Sequence, residues 1–147
     1  MQRTPNGCAC SLFVLMLGCL TTPWAIATSP DSLYARLGGT PNVTAVVSDV
    51  IDEAAGDPHL KRSFDKVNLK RLKNLLVEQI CELTGGGCRY SGDSMHDVHA
   101  GLGITQAEFY GLVQVLKDSM QRHGIAIRER NELLAILAPM KRDIVER

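Results

Sequence analysis

The chain is 147 residues long, enough for one domain with an adequate core and too short for a second of similar size. Its 16 basic and 16 acidic residues cancel and form no long runs, so the basic footprint that nucleic acid requires is missing. Only 5% of the residues are aromatic, while Leu, Ala, Val and Ile are plentiful, which favours helices over aromatic-rich strands.

In chain order, the first stretch differs in kind from the rest. Arg3 gives a positive end, Cys10 to Leu20 is an uncharged apolar core, Thr21-Thr22-Pro23 breaks a helix, and Ala25-Ile26-Ala27 has the small-x-small form of a cleavage site. That is the anatomy of a secretory signal, and its core falls short of the roughly 20 apolar residues of a membrane span. The expectation is an exported, periplasmic protein: a signal peptide over 1–27 and one folded domain over 28–147. Met16-Leu17-Gly18-Cys19 is a weaker lipoprotein-like box, which would instead leave a lipid anchor on Cys19. Cys8, Cys10 and Cys19 fall inside the signal. Cys81 and Cys88 remain, as one disulfide in an oxidising compartment or as two buried thiols.

Ser32 to Leu37 reads as a short amphipathic turn ended by Gly38-Gly39. Thr40 is expected to cap the next helix with Pro41 at its first position, and Val43, Val46, Val47, Val50 and Ile51 recur at helical spacing as an inward face. Gly56 ends it, and Asp57-Pro58 starts a shorter helix reaching about Phe64. Asn68 caps a longer one, whose stripe is Leu69, Leu72, Leu75, Leu76, Ile80 and Leu83, stopped by Gly85-Gly86-Gly87. After the next segment, Phe109, Leu112, Val113, Leu116 and Met120 repeat the helical pattern up to His123-Gly124. A last helix starts near Ile127, turns Leu133, Leu134, Ile136 and Leu137 inward, and is bent or interrupted at Pro139. No long stretch alternates with period two, so the fold class is all-α, with about six helices.

The chemistry concentrates between Ser91 and Thr105. Ser94 followed by Asp97 reads as a capping-box variant that opens a short turn carrying His99; Gly101 and Gly103 close it, and Thr105 with Glu108 opens the next helix by the same device. A histidine held between two such signals is fixed in direction, as a metal ligand must be, although a lone helical histidine is equally an ordinary structural residue. His96 shares its helix face without a carboxylate-rich partner set and reads as exposed or capping. His59 and His123, beside helix ends, read as solvated. Asp49, Asp52 and Glu53 sit on the outer side of the second helix and form no catalytic carboxylate pair. No Ser-His-Asp or glycine-rich phosphate signature is present.

Several pieces now stand in a definite order: Leu37-Gly38-Gly39 after a short first helix, Phe64 after a proline-started turn, a second Gly-Gly before the Tyr90 loop, then Met95-x-x-x-His99-x-Gly101-x-Gly103-Ile104-Thr105 and Phe109. In that order and spacing the chain, from about Ser32 onward, resembles a truncated haemoglobin of the first group. The resemblance implies a two-over-two helical sandwich around non-covalently held haem b. It makes His99 the proximal ligand to iron and Phe64 the ring stacked on the porphyrin. Tyr90, Met95, Ile104, Phe109 and Leu112 match the proximal side or haem edge; Ile51, Leu72 and Leu76 match the distal side, and Ile80 follows them on the same stripe. Arg71 and Lys73 are candidates for the haem propionates, with solvated surface as their other fate.

The departure from the family pattern is distal. Many members carry a tyrosine at the position of Ile51 and polar or mixed residues at those of Leu72 and Leu76, whereas here all three are aliphatic. Without a hydrogen bond worth about 1.5–3 kcal/mol to partly negative dioxygen, its release would be about 10- to 100-fold faster. A shifted helix or an inward Gln79 would be other sources of such a bond. The leading function is therefore reversible binding of O2, CO or NO at a five-coordinate haem iron. The alternatives are nitric oxide dioxygenation or another haem redox reaction, which would need a reductase as partner, and a haem carrier or gas sensor.

Overall fold

A column of branched side chains on one helix is what the remaining elements wrap. The computed structural model describes residues 31–147. Within them the column is Val43, Val46, Val47, Val50, Ile51 and Ala54, all at most 6% exposed, on helix α2 (Gly39–Gly56). Branching at Cβ costs such residues some helix propensity, so burial rather than propensity holds this helix. A short helix α1 (Leu33–Arg36) precedes it. α2 packs against both α3 (Leu69–Leu83) and α5 (Gln106–Arg122), and α5 against α6 (Ile127–Leu137). Between α3 and α5 lies the five-residue α4 (Met95–His99), and α7 (Lys141–Ile144) follows α6. No strand occurs among the described residues, as an all-α chain requires. None of their helices is long and apolar enough to cross a membrane. The signal segment, with Cys8, Cys10 and Cys19, lies outside the described residues.

One core joins these helices. Leu37, Met120, Leu133 and Cys81 are buried with the α2 column, and Phe64, Leu72, Leu76 and Leu112 pack against it from the side. α5 approaches α2 closely at Ser119, which is fully buried and donates from Oγ to the Val46 carbonyl at 3.2 Å. Polar side-chain contacts then tie the outer face of α2 to its neighbours. Lys73 on α3 reaches both Asp52 oxygens at 2.7 Å, Arg122 on α5 reaches Glu53 at 2.8 Å, and His123 reaches Asp49 at 2.8 Å. His123 is thus half-buried and paired, not solvated as its place at a helix end suggested.

Most helix ends follow their local signals. Ser32 Oγ accepts the Ala35 amide at 3.1 Å, Asn68 Oδ1 accepts that of Arg71 at 3.0 Å, and Thr105 and Glu108 cap each other reciprocally. α2 departs from its expected cap: Gly38, at φ 94°, takes that place, and Thr40 already lies inside the helix. Gly38 and Gly39 both take positive φ to reverse the chain after α1, so the helix starts as soon as the reversal is complete. Thr40 then hydrogen-bonds Tyr34 at 2.9 Å, and Pro41 remains harmless because first-turn amides need no helical partner. After Gly56, Asp57 Oδ1 accepts the His59 amide at 2.7 Å, and only a single 3-10 turn (Lys61–Phe64) follows, not the expected helix. Pro139 does interrupt the last helix, with a 3-10 turn (Ala138–Met140) between α6 and α7. Cys81 and Cys88 form a disulfide, their Cα atoms 5.6 Å apart.

Candidate functional site

A helix as short as α4 cannot sustain itself, since one or two turns do not repay the cost of nucleation. Other elements hold it at both ends. On the entering side, Ser94 Oγ accepts the Asp97 amide at 3.1 Å and donates to Asp97 Oδ2 at 2.6 Å, so the expected cap is made with the two side chains meeting each other. Two residues of α3 reach over to the same side. Glu78 accepts the Ser91 amide and hydroxyl at 3.1 and 2.6 Å, and Gln79 donates to Met95 Sδ at 3.6 Å. On the leaving side, Glu146 accepts the amides of Gly101 and Gly103 at 2.5 and 2.7 Å. Arg62, paired with Glu108 at 2.5 Å, donates to the carbonyls of Leu102 and Gly103 at 3.1 and 2.9 Å. The Arg62 guanidinium, followed by the Thr105 amide and hydroxyl, holds the Glu108 carboxyl down at about 2.

His99, thus carried, is half-buried, and its Nδ1 lies 2.7 Å from the Met95 carbonyl oxygen. A carbonyl only accepts, so Nδ1 bears the proton, and in the neutral ring Nε2 presents its lone pair. A backbone acceptor on the second nitrogen is the usual way a ligating imidazole is oriented and made more basic. Among the described residues no cluster of three or more His, Cys, Asp or Glu comes together that could hold a bare ion. A single imidazole suits a metal that brings its other ligands with it, as in a porphyrin.

The apolar residues named from the sequence divide by depth. Ile51, Ile80 and Ile104 are buried, whereas Phe64, Leu72, Leu76, Tyr90, Met95, Phe109 and Leu112 are half-buried. Phe64, Leu72, Leu76 and Leu112 pack against the core that contains Ile51 and Ile80. Met95 joins α3 through Gln79. Phe109 packs edge-on to Tyr110 with centroids 5.7 Å apart, and Tyr90 donates from its hydroxyl to the Asp93 carbonyl at 3.0 Å. Burial first, then the nearby Asp93 and Glu78 carboxylates, pushes the Tyr90 phenol up, which keeps it a donor. Val67, Val98 and Leu102, close in sequence to the Phe64 turn and to His99, are more than 40% exposed.

Lys73 is committed to Asp52 and Ser48 on α2, which removes it from the candidates for an acidic edge of a cofactor, while Arg71 is exposed. Lys73 in turn holds the Asp52 carboxyl below the ordinary range. His59 and His96 are exposed, His96 lying 3.3 Å from Asp97. Gln79 does turn inward, only 7% exposed, but its amide is directed at Met95, on the same helix as His99. Its place on the stripe of Leu72 and Leu76 was a legible signal, because a polar residue on an apolar face needs a buried partner. Glu78, Arg62 and Glu146 left no such trace.

A family model for bacterial-like globins matches residues 32–146. A group 1 truncated haemoglobin of Mycolicibacterium paratuberculosis is 32% identical over 115 residues, covering 78% of this chain and 85% of that protein. One from a Nostoc species is 27% identical over 117 residues, covering 80% and 99%. Among solved structures, the Fe(III) truncated haemoglobin of Tetrahymena pyriformis aligns with a TM-score of 0.75 at 20% identity, over 80% of this chain and all of that one. The 2/2 haemoglobin of a Synechococcus species, solved with covalently attached haem, gives 0.73 at 23%, over 79% and 99%. At those identities the structural likeness is one of fold, and it agrees with the helix order above. This chain belongs to the bacterial-like globin family and, within it, to the group 1 truncated haemoglobins.

Proposed function

We propose that the domain holds haem b without covalent attachment, through Nε2 of His99, and reversibly binds a diatomic gas at a five-coordinate iron. The observation that carries this is the His99 imidazole, with Nδ1 given to the Met95 carbonyl at 2.7 Å and the opposite nitrogen left to ligate. When bound, the haem would supply the iron at which O2, CO or NO binds, and His99 would be the residue that holds it. Phe64, Met95, Ile104, Phe109 and Leu112 would line the haem and exclude water from it, with Tyr90 as a further lining residue. Ile51, Leu72, Leu76 and Ile80 wall the gas side with hydrocarbon. Bound dioxygen then gains no donor, so its retention is weak, and CO and NO, which depend less on such a bond, are favoured in relative terms. The Cys81–Cys88 bond supports a working place outside the reducing cytoplasm, with the first 27 residues as the export signal.

Absorption spectra of the purified protein in ferric, ferrous and carbonyl forms test the reading, together with His99→Ala. The expected result is a five-coordinate ferrous haem that the variant loses and that added imidazole restores. A protein that takes up no haem, or a variant with the parent's spectrum, overturns it.

A further inference from the structure

The corner that follows α4 is gripped by a residue distant in sequence, and we infer that Glu146 is a positioning residue for the His99 imidazole, an inference resting on the haem reading above. Its two carboxylate oxygens accept the Gly101 amide at 2.5 Å and the Gly103 amide at 2.7 Å. Those amides converge on one carboxylate because both glycines take positive φ, 79° and 60°, a region open to glycine and strained for other residues. Amides gathered in this way form a concavity for an anion, and bonds to an ionised acceptor are stronger than neutral ones.

Backbone bonds fasten the same corner. The amides of Glu146 and Arg147 reach the Ile104 carbonyl at 2.9 and 3.3 Å, and the Gln106 amide reaches the Arg147 carbonyl at 3.1 Å. The amide of Leu102, the residue between the two gripped glycines, returns to the His99 carbonyl at 3.1 Å. α4 itself rests on α7, just ahead of Glu146.

The bond between His99 Nδ1 and Met95 fixes the ring only to its own helix, because donor and acceptor both lie on α4. Ring and helix turn as one body, and that body is held against the domain by its contact with α7 and by its two ends. Glu78 and Gln79 hold the entering end. Arg62 meets the leaving end only at carbonyls, and Glu146 is what receives its amides. Without that carboxylate α4 swivels about its entering end, and the imidazole loses its fixed bearing on the iron.

The test compares wild type with Glu146→Ala, with Glu146→Gln, and with Val115→Ala as a destabilised control distant from the corner. Three measurements are made: amide exchange at Gly101 and Gly103 in the haem-free protein, the iron–histidine stretching band of the ferrous protein, and haem transfer to an acceptor. Glu146→Ala is expected to speed exchange at those two glycines, shift and broaden the band, and accelerate haem transfer about 10-fold, as loss of support around a metal ligand does. Glu146→Gln keeps the length with one acceptor and falls between; it also serves if the alanine variant does not fold. Val115→Ala lowers thermal stability and leaves the band in place. The clamp is overturned if the band and transfer rate of both Glu146 variants equal wild type, or if Val115→Ala moves the band as far. If wild-type protein takes up no haem, the functional reading fails instead, and exchange in the haem-free protein decides the clamp separately: amides equally fast with and without the carboxylate overturn it.

Discussion

If the aliphatic stripe of α3 walls the gas side, as proposed above, replacing Leu76 by glutamine puts a donor where that wall offers only hydrocarbon. Leu76 lies on the middle turn of the Leu72–Leu76–Ile80 stripe, half-buried against the core that contains Ile51. Because it is half-buried, losing its apolar contact costs about 1 kcal/mol, half of a full leucine burial. Tyrosine at Ile51 is the costlier route, since that residue is 2% exposed and overpacking there costs about 1–3 kcal/mol. A new hydrogen bond to partly negative dioxygen contributes about 1.5–3 kcal/mol, and each ~1.4 kcal/mol is tenfold in rate, so Leu76→Gln should slow dioxygen release about 10- to 100-fold. Stopped-flow mixing of the oxygenated ferrous protein with excess carbon monoxide reads that rate directly. Carbon monoxide association, which needs no donor, should change little. If wild type already releases dioxygen as slowly as the variant, a donor is present that the aliphatic wall does not account for. If the variant keeps its haem and its rate is unchanged, position 76 does not face the gas. Either result defeats the reasoning.

Other consequences follow from particular contacts. Replacing Cys81 by alanine and Cys88 by serine together reopens a loop of eight residues, and chain-entropy arithmetic gives a loss of about 2.5 kcal/mol, read as a lower urea midpoint; an unchanged midpoint refutes it. Glu108, depressed to about 2 by Arg62 and Thr105, contributes stability that is complete above its unfolded value near 4.5 and is lost as pH falls through about 2. After solvent screening this is roughly 1 kcal/mol, and Glu108→Gln should flatten the acid limb of the stability curve in that window. Thr105→Ala removes a capping box and should cost about 1 kcal/mol in denaturant unfolding, with faster amide exchange confined to the first turn of α5.

Much of the fold is legible in the sequence because its causes are local. The Val43–Ile51 column, the Leu69–Leu83 stripe and the Phe109–Met120 stripe are periodicities within single helices. Ser32, Asn68, Ser94 and Thr105 bond to amides three residues ahead. His99 stands out for the same reason, since its direction is set by Met95 one turn before it. Where a local rule misled, a neighbour overruled it. Thr40 gave up its cap to the Gly38-Gly39 reversal and to Tyr34, and Asp57-Pro58 leads only into the 3-10 turn Lys61–Phe64, whose Arg62 is paired with Glu108 and bonded to the Gly103 carbonyl.

By itself, then, the sequence determined an all-helical chain with a directed histidine, an aliphatic stripe from Leu69 to Leu83 and the resemblance to truncated haemoglobins. Only the tertiary structure decided that Cys81 bonds Cys88, that Lys73 belongs to Asp52, that Gln79 reaches Met95, and that Glu146 and Arg62 close on the corner after α4. The physical reason is distance along the chain. A cap or a stripe is written within one or two helical turns, but a carboxylate bonded to a glycine more than forty residues away exists only once packing has brought the two together.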